Sequence, residues 1–171
     1  MKKGTNYCAY PFLYDDPEDL KCDYEIFTDE ISSTIGLLRA FINQDRLRDE
    51  LSKIADLVYH MNSSLRTKTG VYESELQWLN ERCAIYKEET KNNYTRFVLP
   101  QGSIAAAQSH IIRTKFKALV RMLHRYEEKG NKVDPLLYDF ANILSQYFFL
   151  LALKLNSLEN IKELEYISRS Y

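Results

Sequence analysis

Apolar residues in this chain return at three- and four-residue steps over long stretches. That is the spacing of one face of an α-helix, not the alternation of a strand. Ile31, Ile35, Leu38 and Ile42 carry the pattern through a first helix from about Glu25 to Asn43. The polar Asn43-Gln44-Asp45 break is cap-like, and Leu47, Leu51, Ile54, Leu57, Val58 and Met61 mark a second helix. Thr67 to Gly70 interrupts again before a third, with Leu76, Leu79, Cys83 and Tyr86. The longest irregular connection, KNNYTRFVLPQGS, begins like a strand or turn at Arg96 and leads into a fourth helix, from about Ser103 to Lys129. Gly130 and Asn131 close that helix. Pro135 opens a fifth, where its missing N–H costs nothing, and Leu136, Phe140, Ile143, Leu144, Tyr147, Phe148 and Leu151 run along it. The charged tail ENIKELEYISRSY leaves room for a short sixth helix. Five helices of roughly 20 residues with short connections predict an all-α, up-and-down five-helix bundle. At 171 residues, one domain over 1–171 is the expectation.

Composition narrows the classes. The net charge is -1, so the chain as a whole is no nucleic-acid binder and any anion site must be local. Cys8, Cys22 and Cys83 are odd in number, widely spaced and without a CxxC pair. They argue against a disulfide framework or zinc knuckle and suit the reducing cytoplasm. MKKGTNYCAY lacks the apolar core of a signal peptide. The longest apolar run, Tyr147 to Leu153, is too short to cross a bilayer.

The Walker loop, the dinucleotide fingerprint and the GxSxG elbow are absent. His110 and His124 would stand about 21 Å apart along one helix, too far to share a metal. The carboxylate neighbours Asp15/Asp16 and Glu88/Glu89 would diverge on a helix. What remains is a basic stripe: Arg113, Lys117 and Arg121 recur every fourth residue and share one helix face. Cations at that pitch can follow a polyphosphate, each phosphoryl group accepting charge-assisted hydrogen bonds. A solvated basic face is the plain alternative. Ile112, Phe116, Leu119 and Leu123 lie opposite and can face the core.

The order FVLPQGS, IAAAQSH, IIRT, followed downstream by YDFANILSQYFFLLAL, resembles the PduO-type ATP:corrinoid adenosyltransferases. That family shows F-[IV]-L-P-G-G-S, A-A-x-x-H-x-A-R-T-x-x-R-R-A-E-R and Y-L-N-R-L-S-D-x-L-F-x-L-A-R. TDEISSTIGLLRA, ADLVYHMNSSL and LQWLNERCAIYKEE are similar to its other helices, and KKGT with YDDPED to its N-terminus. The collinear set covers roughly residues 2 to 156. The resemblance implies a five-helix bundle that assembles as a homotrimer and binds ATP, with Mg2+, and a corrinoid between subunits. It implies transfer of the 5'-deoxyadenosyl group of ATP to the cobalt of cob(I)alamin or a related corrinoid, with triphosphate released. A flavoprotein reductase is the implied electron source.

By the same resemblance, Arg113 matches an ATP-binding arginine, and Asp29 the acid that pairs with it across the subunit boundary. Lys117 and Arg121 extend the catalytic, ATP-binding stripe. Asn142 matches a nucleotide-site asparagine. Phe97 matches the phenylalanine below the cobalt, which keeps the corrinoid without its lower ligand. Lys3, Gly4 and Thr5 match the end of a phosphate loop, where glycine lets backbone N–H groups approach an anion. Each also has a plain reading: Asp29 as an acid at a helix N-terminus, Phe97 as a core aromatic, Asn142 as a satisfied polar group inside the bundle, and Lys3 to Thr5 as a frayed end. The chain departs from the pattern at Gln101, Lys117, Ala118, Val120, Gln146 and Leu153, and everything before Lys-Gly-Thr in the loop is missing. A relative that binds corrinoid, nucleotide or a protein partner without transfer is the alternative function.

Overall fold

The computed structural model describes residues 11–93 and 97–170. Lys3, Gly4 and Thr5 lie outside the described residues. A single 3-10 turn at Pro11–Tyr14 precedes five helices: α1 (Lys21–Ala40), α2 (Asp45–Met61), α3 (Glu73–Thr90), α4 (Ile104–Glu128) and α5 (Pro135–Leu158). The architecture is the expected all-α bundle. α1 begins earlier than its apolar pattern suggests, because its first turn is polar apart from the fully buried Tyr24.

Local chemistry sets the helix ends. The Ser103 hydroxyl accepts the Ala106 N–H at the head of α4, and the Asp134 carboxylate accepts the Leu136 N–H at the head of α5, with Pro135 in the first turn. Before α3, the Glu75 carboxylate reaches back to the Tyr72 N–H. Gly130 follows α4 with φ 85°, a left-handed conformation that costs glycine little.

Bonds between helices fix their directions. The Tyr24 hydroxyl donates to the Met61 carbonyl and Arg39 Nε to the Arg48 carbonyl, so α1 and α2 are antiparallel. Glu30 pairs with Lys115 and Glu18 with Lys129, which sets α4 antiparallel to α1. Ser145 donates to the Arg113 carbonyl and Tyr138 to Glu127, so α5 returns antiparallel to α4. Asn93 donates to the Leu153 carbonyl and the Cys83 thiol to that of Ile143, placing α3 parallel to α5. The helices therefore run up, down, up, down, up, and they pack in the order α2–α1–α4–α5–α3.

α5 is long and apolar enough to cross a membrane by length and composition. It is a core helix here: Phe140, Leu144, Tyr147, Phe148 and Leu151 are fully buried. Each such side chain contributes roughly 1.5–3 kcal/mol by leaving water. Phe148 stacks on Phe116 of α4 at 5.8 Å, and Ile112, Leu119 and Leu123 join it in the core. The Glu50 carboxylate is built into this interior. Glu50 accepts the Tyr86 and Tyr147 hydroxyls at 2.5 and 3.2 Å and pairs with Arg82 at 2.6 Å.

The tail corrects one expectation. Glu159 to Ser170 form no sixth helix; the segment folds back, and Glu165 makes an antiparallel bridge with Val98. Arg96, where the sequence predicts a strand or turn to begin, lies outside the described residues; the bridge is at Val98. Backbone pairing across the chain outcompetes local helix propensity there.

Candidate functional site

The stripe on α4 divides into two kinds of cation. Lys117 and Arg121 are exposed. Arg113 is half-buried, its guanidinium 5.9 Å from the Phe149 ring of α5, within cation–π range. Its Nε is shut off from solvent without a hydrogen-bond partner among the described residues. Burial pushes the Arg113 pKa down, because a charge leaving water without full compensation is disfavoured. A cation held in this way is primed for an anion from outside the chain.

One turn earlier, His110 lies on the same face and is 4% exposed, 6.2 Å from the Phe149 ring. Neither ring nitrogen has a hydrogen-bond partner among the described residues. Burial, reinforced by the Arg113 charge, pushes its pKa down to about 4, so it is neutral at pH 7. The folded pKa is depressed, so its contribution is present above the unfolded value near 6.5 and lost as pH falls from there toward 4. Acid destabilisation from this residue should reach roughly 1–3 kcal/mol. Urea unfolding at pH 7 and pH 4.5 checks this: His110→Phe should lose less stability across that interval than the parent, and an identical loss would contradict it.

The Ser145–Arg113 and Tyr138–Glu127 bonds bracket the register of α5 on α4, which sets Asn142 at the axial level of Lys117 to Arg121. Asn142 is exposed, so it is not a satisfied polar group inside the bundle. Gln146, one turn on, is exposed as well.

Asp29 is exposed in the middle of α1, eight residues past its first residue. The reading of it as a helix N-terminal acid is therefore excluded; Asp23 has that place. Its neighbour Glu30 pairs with Lys115 at 2.5 Å on one flank of α4, whereas Arg113 turns toward Phe149 on the other. Asp29 and Arg113 of the same chain are not brought together.

Phe97 is 82% exposed, which excludes the core-aromatic reading. It belongs to the segment that leads through Pro100 and Gly102 into α4, at the end where α1, α3 and α5 finish. A cleft of about 420 Å3 opens at that end between the α1–α2 turn and the α4–α5 pair, lined by Phe41, Gln44, Ile104, Leu155 and Leu158. Leu158 and Ile104 are themselves 49% and 69% exposed, so the mouth of the cleft is apolar. Among the described residues no group of three His, Cys, Asp or Glu stands ready for a metal.

Sequence reasoning missed the roles of His110 and Phe149 beside Arg113. Spacing could have supplied the first, since His110 lies three residues before Arg113 on a shared face. The second depends on the packing of α5 on α4 and leaves no local trace.

Comparison with known proteins puts this geometry in context. A family model described as cobalamin adenosyltransferase matches residues 27–155. The chain is 27% identical over 160 residues to a corrinoid adenosyltransferase of Bacillus subtilis (strain 168), covering 88% of this chain and 82% of that one. A variant of the PduO-type ATP:corrinoid adenosyltransferase from Lactobacillus reuteri, complexed with cobalamin and ATP, superposes with a TM-score of 0.80 at 24% identity, over 88% of this chain and 87% of that one. Another variant of the same enzyme, complexed with ATP, gives 0.78 at 26% identity, over 87% and 88%.

Proposed function

The chain belongs to the cobalamin adenosyltransferase family, and on that premise we propose that it transfers the 5'-deoxyadenosyl group of ATP to the cobalt of cob(I)alamin or a related corrinoid. In this step the cobalt electron pair attacks the 5' carbon, a Co–C bond forms, and the C–O bond to the triphosphate breaks. The leaving electron pair stays on the triphosphate oxygen, so negative charge grows where the α4 cations can meet it. No proton needs to be abstracted. The protein's task is to hold two substrates in line and stabilise the leaving group.

The observation that carries this reading is Arg113: a half-buried cation whose Nε has no hydrogen-bond partner among the described residues, on a helix face continued by Lys117 and Arg121. Arg113 and Lys117 take the triphosphate, with Arg121 and Asn142 further along the same face. Lys3, Gly4 and Thr5 extend the phosphate site. Phe97 covers the lower face of the corrinoid. The separation of Asp29 from Arg113 within one chain supports a site completed by a second copy, in a homotrimer acting in the cytoplasm. A flavoprotein reductase would supply the Co(I) state.

The test is spectroscopic. Purified protein, ATP with Mg2+ and chemically reduced cobalamin should yield the absorbance of adenosylcobalamin together with free triphosphate. Binding of both substrates without product would instead identify a binding-only relative.

A further inference from the structure

We propose that the C-terminal tail, clasped by Asn156 and Glu163, is the positioning element that sets where Phe97 stands. This rests on the assignment of Phe97 to the corrinoid.

Asn156 is fully buried in the last turn of α5, and its side-chain amide is shared between two segments. Its oxygen accepts the Ser103 N–H at 3.0 Å. Its Nδ2 donates to the Gln101 carbonyl at 3.0 Å and to Glu163 Oε1 at 2.9 Å. The tail itself returns over Asn156, with the Ile161 N–H on the Asn156 carbonyl at 2.8 Å. Gly102 is shaped to this amide: its φ is +134°, and a Cβ there would lie 1.9 Å from Asn156 Oδ1. Glu163 is drawn inward with it. Its Oε2 is buried, and burial holds the carboxyl above the usual range.

Beyond the clasp the tail becomes the strand partner of the Phe97 segment. The Tyr166 N–H donates to the Phe97 carbonyl at 2.7 Å, and the Leu99 N–H donates to the Leu164 carbonyl at 2.8 Å. Gln101 Nε2 adds a 3.4 Å bond to the Lys162 carbonyl. The Phe97 side chain is 82% exposed, so core packing does not place it. Backbone pairing with the tail does. A ring meant to lie flat below a planar macrocycle needs a fixed backbone, since displacement by about 1 Å can cost of order a hundredfold in rate.

The experiment reads the position of residue 97 without needing turnover. Phe97→Trp in a Trp78→Phe background gives a single fluorophore on the segment. Against that probe, Glu163→Ala and Tyr166→Pro are introduced in the full-length chain. The first removes the Asn156 acceptor and the second the N–H bonded to Phe97. Both lie outside the helices, so far-ultraviolet circular dichroism should be unchanged. Anisotropy at position 97 should fall and acrylamide quenching should rise in both, whereas Glu163→Gln, which keeps an acceptor oxygen, should match the parent. In the chain with native Phe97, the two variants should raise the corrinoid KM about tenfold with the ATP KM unaltered. They should add nothing further in a Phe97→Ala background. Unchanged anisotropy and quenching in folded Glu163→Ala and Tyr166→Pro proteins would overturn the proposal whatever the activity. A mobile residue 97 in a protein that never makes adenosylcobalamin would leave the clasp standing and refute the assigned reaction.

Discussion

Arg113→Ala lowers adenosyl transfer by roughly a hundred- to a thousandfold, the scale seen when one donor to a developing anion is removed. The prediction follows from what surrounds the side chain. Phe149 packs against the guanidinium, Nε is buried without a hydrogen-bond partner among the described residues, and burial lowers its pKa. These are features of a group whose charge is only weakly compensated within its own chain. The variant should therefore lose activity without losing stability: its melting temperature should stay within a few degrees of the parent or rise, since a poorly compensated charge has been removed. Arg113→Lys keeps the charge but not the planar two-pronged donor, and should recover only part of the rate. Initial rates with saturating cob(I)alamin, measured beside thermal melts, check both halves. A parallel fall in rate and stability would make Arg113 a structural residue.

The largest expected loss of stability lies elsewhere. Glu50→Ala removes the acceptor of the Tyr86 and Tyr147 hydroxyls and the partner of Arg82, a residue only 9% exposed. Stranding a buried charge in this way costs about 3–5 kcal/mol. The buried tyrosine hydroxyls add to that, and burial and the Glu50 carboxylate already hold both phenol pKa values above their usual range. At about 2–4 °C per kcal/mol for a chain of this size, the melting temperature should fall by roughly 10 °C. Arg82→Met combined with Glu50→Leu should recover much of that loss, because no uncompensated charge remains. Thermal melts of the three proteins decide the matter. A Glu50→Ala protein as stable as the parent would mean that water already solvates Arg82.

The helices were legible because each buries one face. Ile31, Ile35 and Leu38 of α1 and Ile112, Phe116, Leu119 and Leu123 of α4 were read from spacing, and all are fully buried. What spacing could not show was pairing between distant segments. The tail after Asn160 has a composition suited to a helix, yet its backbone bonds to Phe97, Leu99 and the Asn156 carbonyl, and its Glu163 carboxylate to the Asn156 amide. Arg113, Lys117 and Arg121 look equivalent in sequence, and only the packing of Phe149 sets Arg113 apart. The collinear family motifs reached further than periodicity could, bringing Asp29, Asn142 and Phe97 into consideration; their exposure in the structure fits surfaces that a ligand or a second subunit would cover.

That second subunit is the heart of the account, and a mixing experiment tests it most directly. Arg113→Ala and Asp29→Ala chains should each be impaired alone. When they are co-folded, an interface that takes Arg113 from the Asp29→Ala chain and Asp29 from the Arg113→Ala chain has both native residues. The account predicts that the mixture forms adenosylcobalamin well above the average of the two separate variants. A mixture no more active than that average would show that Arg113 and Asp29 do not meet across subunits.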